Sequence, residues 1–151
     1  MKTISKDIPL SEITFRKYEK PGELKGRELI RKVCLSLGLL QPGDSRDVIV
    51  DVLSVILWAK KPLQADEIMK WVIEERKRNN LREYGVAQSN IRRQIKRLKD
   101  LCIVEKIKTG YRITENLSLT EIFEQKIEKL LLSSITDRIK EYTKKVDEGL
   151  S

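Results

Sequence analysis

Apolar residues fall along this chain in runs of helical spacing separated by short polar punctuation. Over residues 23–38 they stand at Leu29, Ile30, Val33, Cys34 and Leu37, one face of a helix, with Gly38 placed to close its C-terminus. Gln41-Pro42-Gly43 reads as a turn. Asp44-Ser45 then offers an N-cap to the segment 46–59, RDVIVDVLSVILWA, which is apolar nearly all round. Its β-branched content suits a strand, but its length favours a buried helix, and helix is the expectation. Lys60-Lys61-Pro62 ends it. Residues 65–79 place Ile68, Trp71, Val72 and Ile73 on one face, and the charged run Glu74 to Arg78 predicts a solvated helix end. Asn79 to Gly85 reads as a loop. A third helix is predicted from near Ala87 to about Leu101, with Ile91, Ile95, Leu98 and Leu101 or Cys102 as its apolar stripe. Ile103–Lys108 and Tyr111–Thr114 read as two short strands joined by a hairpin at Thr109-Gly110.

The longest pattern comes last. Over 118–147, Leu119, Ile122, Phe123, Ile127, Leu130, Leu131, Ile135, Ile139, Tyr142 and Val146 recur at helical spacing, with no Pro or Gly before Gly149. A helix of that extent is ~45 Å long, more than a small domain can cover. Residues 1–22 are polar and mixed, an arm with one short ordered turn expected around Ile13 and Phe15. The pattern predicts a mainly α protein with a small β-hairpin: an arm (1–22), a helical extension (23–43), a unit of three helices and a hairpin (44–116), and a terminal helix (117–151).

Composition narrows the chemistry. Histidine is absent from the 151 residues, which removes Ser-His-Asp and Cys-His catalysis and HExxH zinc sites. Carboxylates form no recognisable catalytic pair, there is no Gly-rich phosphate loop, and nothing calls for a metal or cofactor. The chain therefore reads as a non-enzyme. Cys34 and Cys102 are the only cysteines. They are far apart, in no C-x-x-C pair, and on apolar positions; both read as buried thiols in a reducing cytoplasm. No apolar run approaches the roughly 18 residues that span a bilayer, and MKTISKDIPL has no apolar signal-peptide core. Abundant Lys, Arg and Glu with few Cys and Met give a thermophile-like bias. Charge then changes the picture more sharply. The net charge is +8, and residues 74–114 hold twelve Lys/Arg against five Asp/Glu. After them, 115–151 hold six against eight. A surplus confined to one stretch is the electrostatic footprint expected of a nucleic-acid binder.

Three stretches carry a family resemblance. Lys61-Pro62-Leu63-Gln64-Ala65-Asp66-Glu67-Ile68 resembles the entry to the second helix of winged helix-turn-helix transcription regulators of archaeal and bacterial type. Gly85-Val86-Ala87-Gln88-Ser89-Asn90-Ile91-Arg92-Arg93-Gln94-Ile95-Lys96-Arg97-Leu98 resembles their turn and recognition helix. Leu101 to Lys106, followed by Gly110-Tyr111-Arg112-Ile113-Thr114, looks like the hinge and wing. The resemblance covers about 70 residues and implies a winged-helix DNA-binding domain over 44–116. Cys102 stands where that family usually has Gly, and Gln64 where a Ser or Thr cap is usual. The charged segment Glu74 to Tyr84 is also longer than the family's usual connection. It reads either as a solvated helix end or as an extra phosphate-contacting loop using Arg76, Lys77, Arg78 and Arg82.

A major groove admits one α-helix, which must be held by an apolar stripe and offer a polar, basic face outward. Ile91, Ile95 and Leu98 supply the stripe. Gln88, Ser89, Asn90 and Arg93 are the base-reading candidates, with Arg92 beside them. Lys96 and Arg97 are expected on phosphates, and Lys106, Lys108 and Arg112 of the hairpin on the flanking backbone or minor groove. Trp58 and Trp71, on the apolar faces of the first and second helices, are expected in the core, with an aromatic ligand pocket as the alternative. The resemblance further implies homodimerisation through the terminal helix, with Leu119, Ile122, Phe123, Ile127, Leu130, Leu131, Ile135, Ile139 and Tyr142 as interface; folding back over its own domain is the alternative. The expectation is a cytoplasmic homodimer that binds double-stranded DNA sequence-specifically and regulates transcription. Its rivals are a sequence-neutral architectural chromatin protein and a protein-interaction module of transcription or replication machinery.

Overall fold

The structure is a computed structural model that describes residues 6–151. It is mainly helical with one small antiparallel sheet, as the pattern predicts. Helix α1 spans Gly26–Ser36, α2 Val48–Trp58, α3 Ala65–Arg78 and α4 Gln88–Asp100. Strands β1 (Val104–Ile107) and β2 (Gly110–Ile113) follow, and a single long helix, α5, runs from Leu119 to Leu150. No helix among the described residues is long and apolar enough to cross a membrane.

Three helices end in the same way. After α1, the Leu39 amide donates to the Cys34 carbonyl at 2.8 Å and Gly38 sits at φ +72°. After α3, Leu81 donates to Arg76 at 2.8 Å around Asn80 at φ +56°. After α4, Ile103 donates to Leu98 at 3.0 Å around Cys102 at φ +65°. This is the Schellman arrangement, in which a left-handed residue just past the helix lets the chain turn back and satisfy its last carbonyls. It explains why Gly suits the position of Cys102: the turn needs a positive φ, whatever the side chain. At Gly38 a side chain is also excluded by contact, since a Cβ there would lie 2.6 Å from Thr14 Cβ.

That contact belongs to the arm. Residues 11–20 form no helical turn, contrary to expectation, and run extended across the end of α1. The Arg16 amide donates to Ser36 O at 2.9 Å, and its guanidinium donates to the carbonyls of Leu35 (2.9 Å) and Leu40 (3.1 Å) and to Gln41 Oε1 (2.6 Å). Carbonyls left over at a helix end thus draw the arm into place. The first five residues of the predicted arm lie outside the described ones.

Helix α2 is the central element, buried continuously from Val48 to Ile56 and packed against α1, α3 and α4. It starts at Val48 with Asp47 as N-cap, later than the predicted cap at Asp44-Ser45. Asp44 Oδ1 instead accepts from the Arg46 amide at 2.9 Å, closing a local turn. One hydrophobic cluster joins α1 to α4, the hairpin and the start of α5, from Ile30 to Ile127.

An ionic knot lies inside it. Asp51, the one charged residue in the apolar stretch of α2, is 1% exposed. It accepts from Arg27 Nε (2.9 Å) and Nη2 (3.1 Å) of α1 and from Arg76 Nη1 (2.6 Å) of α3. Asp47 lies 3.1 Å from each of the same two guanidinium groups. Arg76, read from sequence as part of a solvated end or a phosphate-contacting loop, is 4% exposed, because α3 turns that position inward onto two carboxylates. Its Nε also donates to Arg82 O at 2.6 Å, which ties down the loop before α4.

The strands pair Val104 with Ile113 and Ile107 with Gly110, so the two loop residues are Lys108 and Thr109, one position earlier than Thr109-Gly110. Gly110 is the first residue of β2, at φ +140°. A Cβ there would meet Leu63 O at 2.6 Å. Leu63 pairs through its backbone with Tyr111, at 2.8 and 3.0 Å, and Gln64 Nε2 donates to Thr109 O at 3.0 Å. The hairpin is thus bound to the entry of α3.

Helix α5 opens with a reciprocal capping box: Glu121 N donates to Ser118 Oγ (3.1 Å) and Ser118 N donates to Glu121 Oε1 (3.0 Å). From Phe123 to Leu132 it widens to π winding. In α-helical winding Ile122 and Ile127, five apart, would diverge by ~140°. An i→i+5 hydrogen-bond pattern turns less per residue and brings them towards one face, and both are 1% exposed against the chain's own core. Phe123, Leu119 and Leu131 pack partly against it. From Ser133 onwards no residue of α5 is buried.

Candidate nucleic-acid interface

Helix α4 is held by Ile91, Ile95 and Leu98, all at 1% exposure or less. At 100° per residue these three centre on one direction, and Ser89, Arg93, Lys96 and Asp100 point opposite to it, flanked by Arg92 and Arg97. The outward positions are exposed, as are Gln88 and Arg92. Gln88, Ser89, Arg92 and Arg93 appear in no side-chain hydrogen bond or ion pair with a described residue, whereas Lys96 pairs with Asp100 one turn on at 2.9 Å.

Two candidates lie elsewhere than expected. Asn90 donates from Nδ2 to Gly85 O at 2.7 Å and accepts from Gln94 Nε2 at 3.1 Å. Arg97, half-buried, donates to Gln94 Oε1 at 2.9 Å. Gly85, Asn90, Gln94 and Arg97 thus form a polar ladder along one flank of α4, so the Asn90 amide holds the turn entering the helix. The spacing i, i+4, i+7 was visible in sequence; the turn carbonyl that captures Asn90 was not.

This flank faces the N-terminal extension across a cleft of about 390 Å³, lined among others by Leu40, Asp44, Arg46, Tyr84 and Arg93. Sequence reading did not select Arg46. Its side chain is 87% exposed, and its only ionic contact among the described residues is Asp44 at 3.5 Å. In the adjoining loop the Arg82 guanidinium lies 5.7 Å from the centre of the Tyr84 ring. Lys77 faces Glu83 at 3.8 Å and Arg78 pairs with Glu75 at 2.6 Å.

The hairpin divides its cations. Lys106 shares a face with Tyr111 and lies 5.7 Å from that ring's centre. Arg112, on the other face, pairs with Glu105 at 2.8 Å. The Glu105 carboxylate also accepts the Glu115 amide at 2.9 Å. That backbone bond, helped by Arg112 against the opposing effect of burial, holds the Glu105 carboxyl below its ordinary range. Lys108, at the loop, is exposed and in no ion pair with a described residue.

Trp58 and Trp71, expected in the core, are 72% and 47% exposed. They line a groove of about 370 Å³ with Val55, Leu63, Lys60 and Lys61. Helix α2 ends at Trp58, beyond its buried stretch, and α3 turns Ile68 and Val72 inward, leaving Trp71 beside them at the edge. Cys34 is fully buried, and burial pushes its thiol up to about 12. Cys102, expected to be buried, is only half-buried in the left-handed turn after α4; burial raises its thiol as well.

On α5, the residues predicted to meet a second copy separate into two groups. Ile122 and Ile127 are consumed by the chain's own core, with Leu119, Phe123 and Leu131 partly so. Leu130, Ile139 and Tyr142 are exposed and Ile135 is half-buried; Val146, the next position of the stripe, is exposed as well. Compared with family models, with curated proteins and with solved structures, the chain matches none.

Proposed function

We propose that this protein is a winged-helix transcription regulator that binds double-stranded DNA sequence-specifically as a homodimer, with α4 as recognition helix and the β1–β2 hairpin as wing. The observation that carries the reading is the outward face of α4. Gln88, Ser89, Arg92 and Arg93 stand exposed and uncommitted on a helix whose opposite face is locked into the core. Polar and cationic groups without internal partners, on a rigid rod that fits a major groove, suit contacts to base edges and phosphates. Lys108 extends the same surplus to the hairpin.

The dimer would form through the outer half of α5. Ile135, Ile139, Tyr142 and Val146 follow a 4-3-4 spacing, a short coiled-coil seam. Two copies joined there would present two recognition helices to half-sites about one turn apart. The acidic balance of 115–151 suits a segment away from DNA.

Selection of binding sites from random duplexes by the purified protein tests the reading. A defined motif is expected, with Arg93→Ala relaxing preference at one base position in each half-site at a cost of about 1–3 kcal/mol per contact. Failure to bind any duplex at low salt would refute it. One observation favours a second reading, a sequence-neutral architectural protein on the same fold: the Asn90 amide, the best adenine reader of the set, is engaged with Gly85 and Gln94. Selection that yields duplex binding without a motif would decide for that reading.

A further inference from the structure

The cleft between α4 and the turn Leu40–Arg46 shares Arg93 with the recognition face, but its other wall, from the N-terminal extension, has no part in the helix-and-hairpin reading above. Its walls carry Arg46, Arg93 and Arg97, and among the described residues Asp44 alone lines it with an acidic side chain. The Arg97 guanidinium is committed to Gln94. Arg93 is in no hydrogen bond or ion pair with a described residue, and Arg46 has Asp44 alone, at 3.5 Å and outside hydrogen-bond reach. Tyr84 stands at the same cleft.

The turn that carries Arg46 is built to stay in place. Pro42 and Gly43, the latter at φ +77°, fill the central positions of a turn closed by Asp44 N donating to Gln41 O at 3.1 Å. Arg16 holds Gln41 and Leu40 from the arm. The Asp44 carboxylate receives the Arg46 amide at 2.9 Å, and the Arg46 side chain stands 87% exposed. The arm and α1 thus spend a set of hydrogen bonds on presenting one exposed guanidinium beside the recognition helix.

We propose that this cleft is a second backbone clamp. A phosphodiester group of the duplex sits at its mouth, held by the Arg46 guanidinium and bordered by Arg93 and Tyr84. The N-terminal extension is then part of the DNA interface. Guanidinium is the group suited to this task, since its planar fork matches a phosphate's two free oxygens. The contact carries no base information, so it adds affinity and register but no preference. The inference rests on the duplex-binding reading above.

The test uses the full-length chain, a labelled 30-base-pair duplex of mixed sequence, and anisotropy titrations over a series of salt concentrations. Arg46→Gln is compared with Arg93→Ala and with Lys140→Gln, an exposed control on the outer part of α5. Arg46→Gln is expected to weaken binding several-fold on every duplex alike. It should also lower the slope of log K against log salt by about two, one phosphate contact being lost from each protomer of the dimer. Its thermal midpoint should stay within a degree or two of the parent's, since the side chain is 87% exposed. On a duplex carrying a selected site, hydroxyl-radical footprinting should show protection lost at one symmetry-related position in each half-site. Arg46→Gln with unchanged affinity and slope, while Arg93→Ala weakens binding, overturns the clamp and leaves the recognition helix standing. No duplex binding by the parent chain overturns both.

Discussion

Removing the Asp51 carboxylate should destabilise this protein more than any single change on the outward face of α4. Asp51→Ala deletes three short contacts, at 2.9 and 3.1 Å to Arg27 and 2.6 Å to Arg76, in a site 1% exposed. Two guanidinium groups are left with Asp47 as their shared carboxylate, still 3.1 Å from each. Breaking a buried ion pair from one side costs about 3–5 kcal/mol, because the remaining charge stays out of water. Asp47 keeps the cost at the lower end, and the better helix propensity of Ala returns about 0.5 kcal/mol. The expected loss is about 2.5–3 kcal/mol. Chains of this size lose about 2–4 °C per kcal/mol, so the midpoint should fall by roughly 5–12 °C. Urea unfolding followed by far-ultraviolet circular dichroism, at one fixed protein concentration, measures it. A double-mutant cycle adds the sharper criterion: Asp51→Leu with Arg76→Met should cost less than the sum of the two single changes, since the charges leave together. A loss under about 1 kcal/mol for Asp51→Ala, or strict additivity in the cycle, would refute the argument that the knot holds α1, α2 and α3 together.

Burial pushes the Asp47 carboxyl up, but Arg27 and Arg76 outweigh it and hold it below its ordinary range. Its folded pKa is therefore below its unfolded one, so its contribution is present above about pH 4 and lost as pH falls through the folded value; Asp47→Asn should flatten the acid limb of a stability–pH curve. Gly110→Ala should cost about 3 kcal/mol or more by thermal unfolding, because φ +140° and a Cβ 2.6 Å from the Leu63 carbonyl oxygen both exclude a side chain; an unchanged midpoint would contradict the Leu63–Tyr111 pairing. Trp58 and Trp71 should emit at the red-shifted wavelength of wetted indole and be quenched readily by acrylamide, whereas blue-shifted, protected emission would restore their core assignment or show the groove covered. A thiol reagent at pH 8 should modify Cys102 slowly and Cys34 only on unfolding, since burial pushes the Cys34 thiol up to about 12.

The periodic elements were legible in the chain because their signal is local. Ile91, Ile95 and Leu98 mark the buried face of α4 by spacing alone, and Gly38 marks the end of α1 because a positive φ has few other solutions. The length of α2 against its β-branched content was enough to choose helix. The exposed set Gln88, Ser89, Arg92 and Arg93 was legible for the same reason: a helix held on one face exposes the other. What only the tertiary structure decided are pairings between distant residues. Arg76 lies in a charged run that looks solvated, and nothing nearby says that Asp47 and Asp51 await it. The one signal was Asp51 itself, a lone charge in a segment apolar all round, which must find a counter-charge. Asn90 was assigned to bases because its capture by Gly85 depends on the shape of a turn. Residue type and a place on an apolar helix face point Trp58 and Trp71 to the core, whereas exposure is set by where a helix ends and which neighbours cover it. The apolar stripe of α5 looked uniform because spacing does not state what it packs against. The five-residue step from Ile122 to Ile127, met by π winding, turns the first half onto the chain's own core, and beyond Leu132 there is no core left to meet.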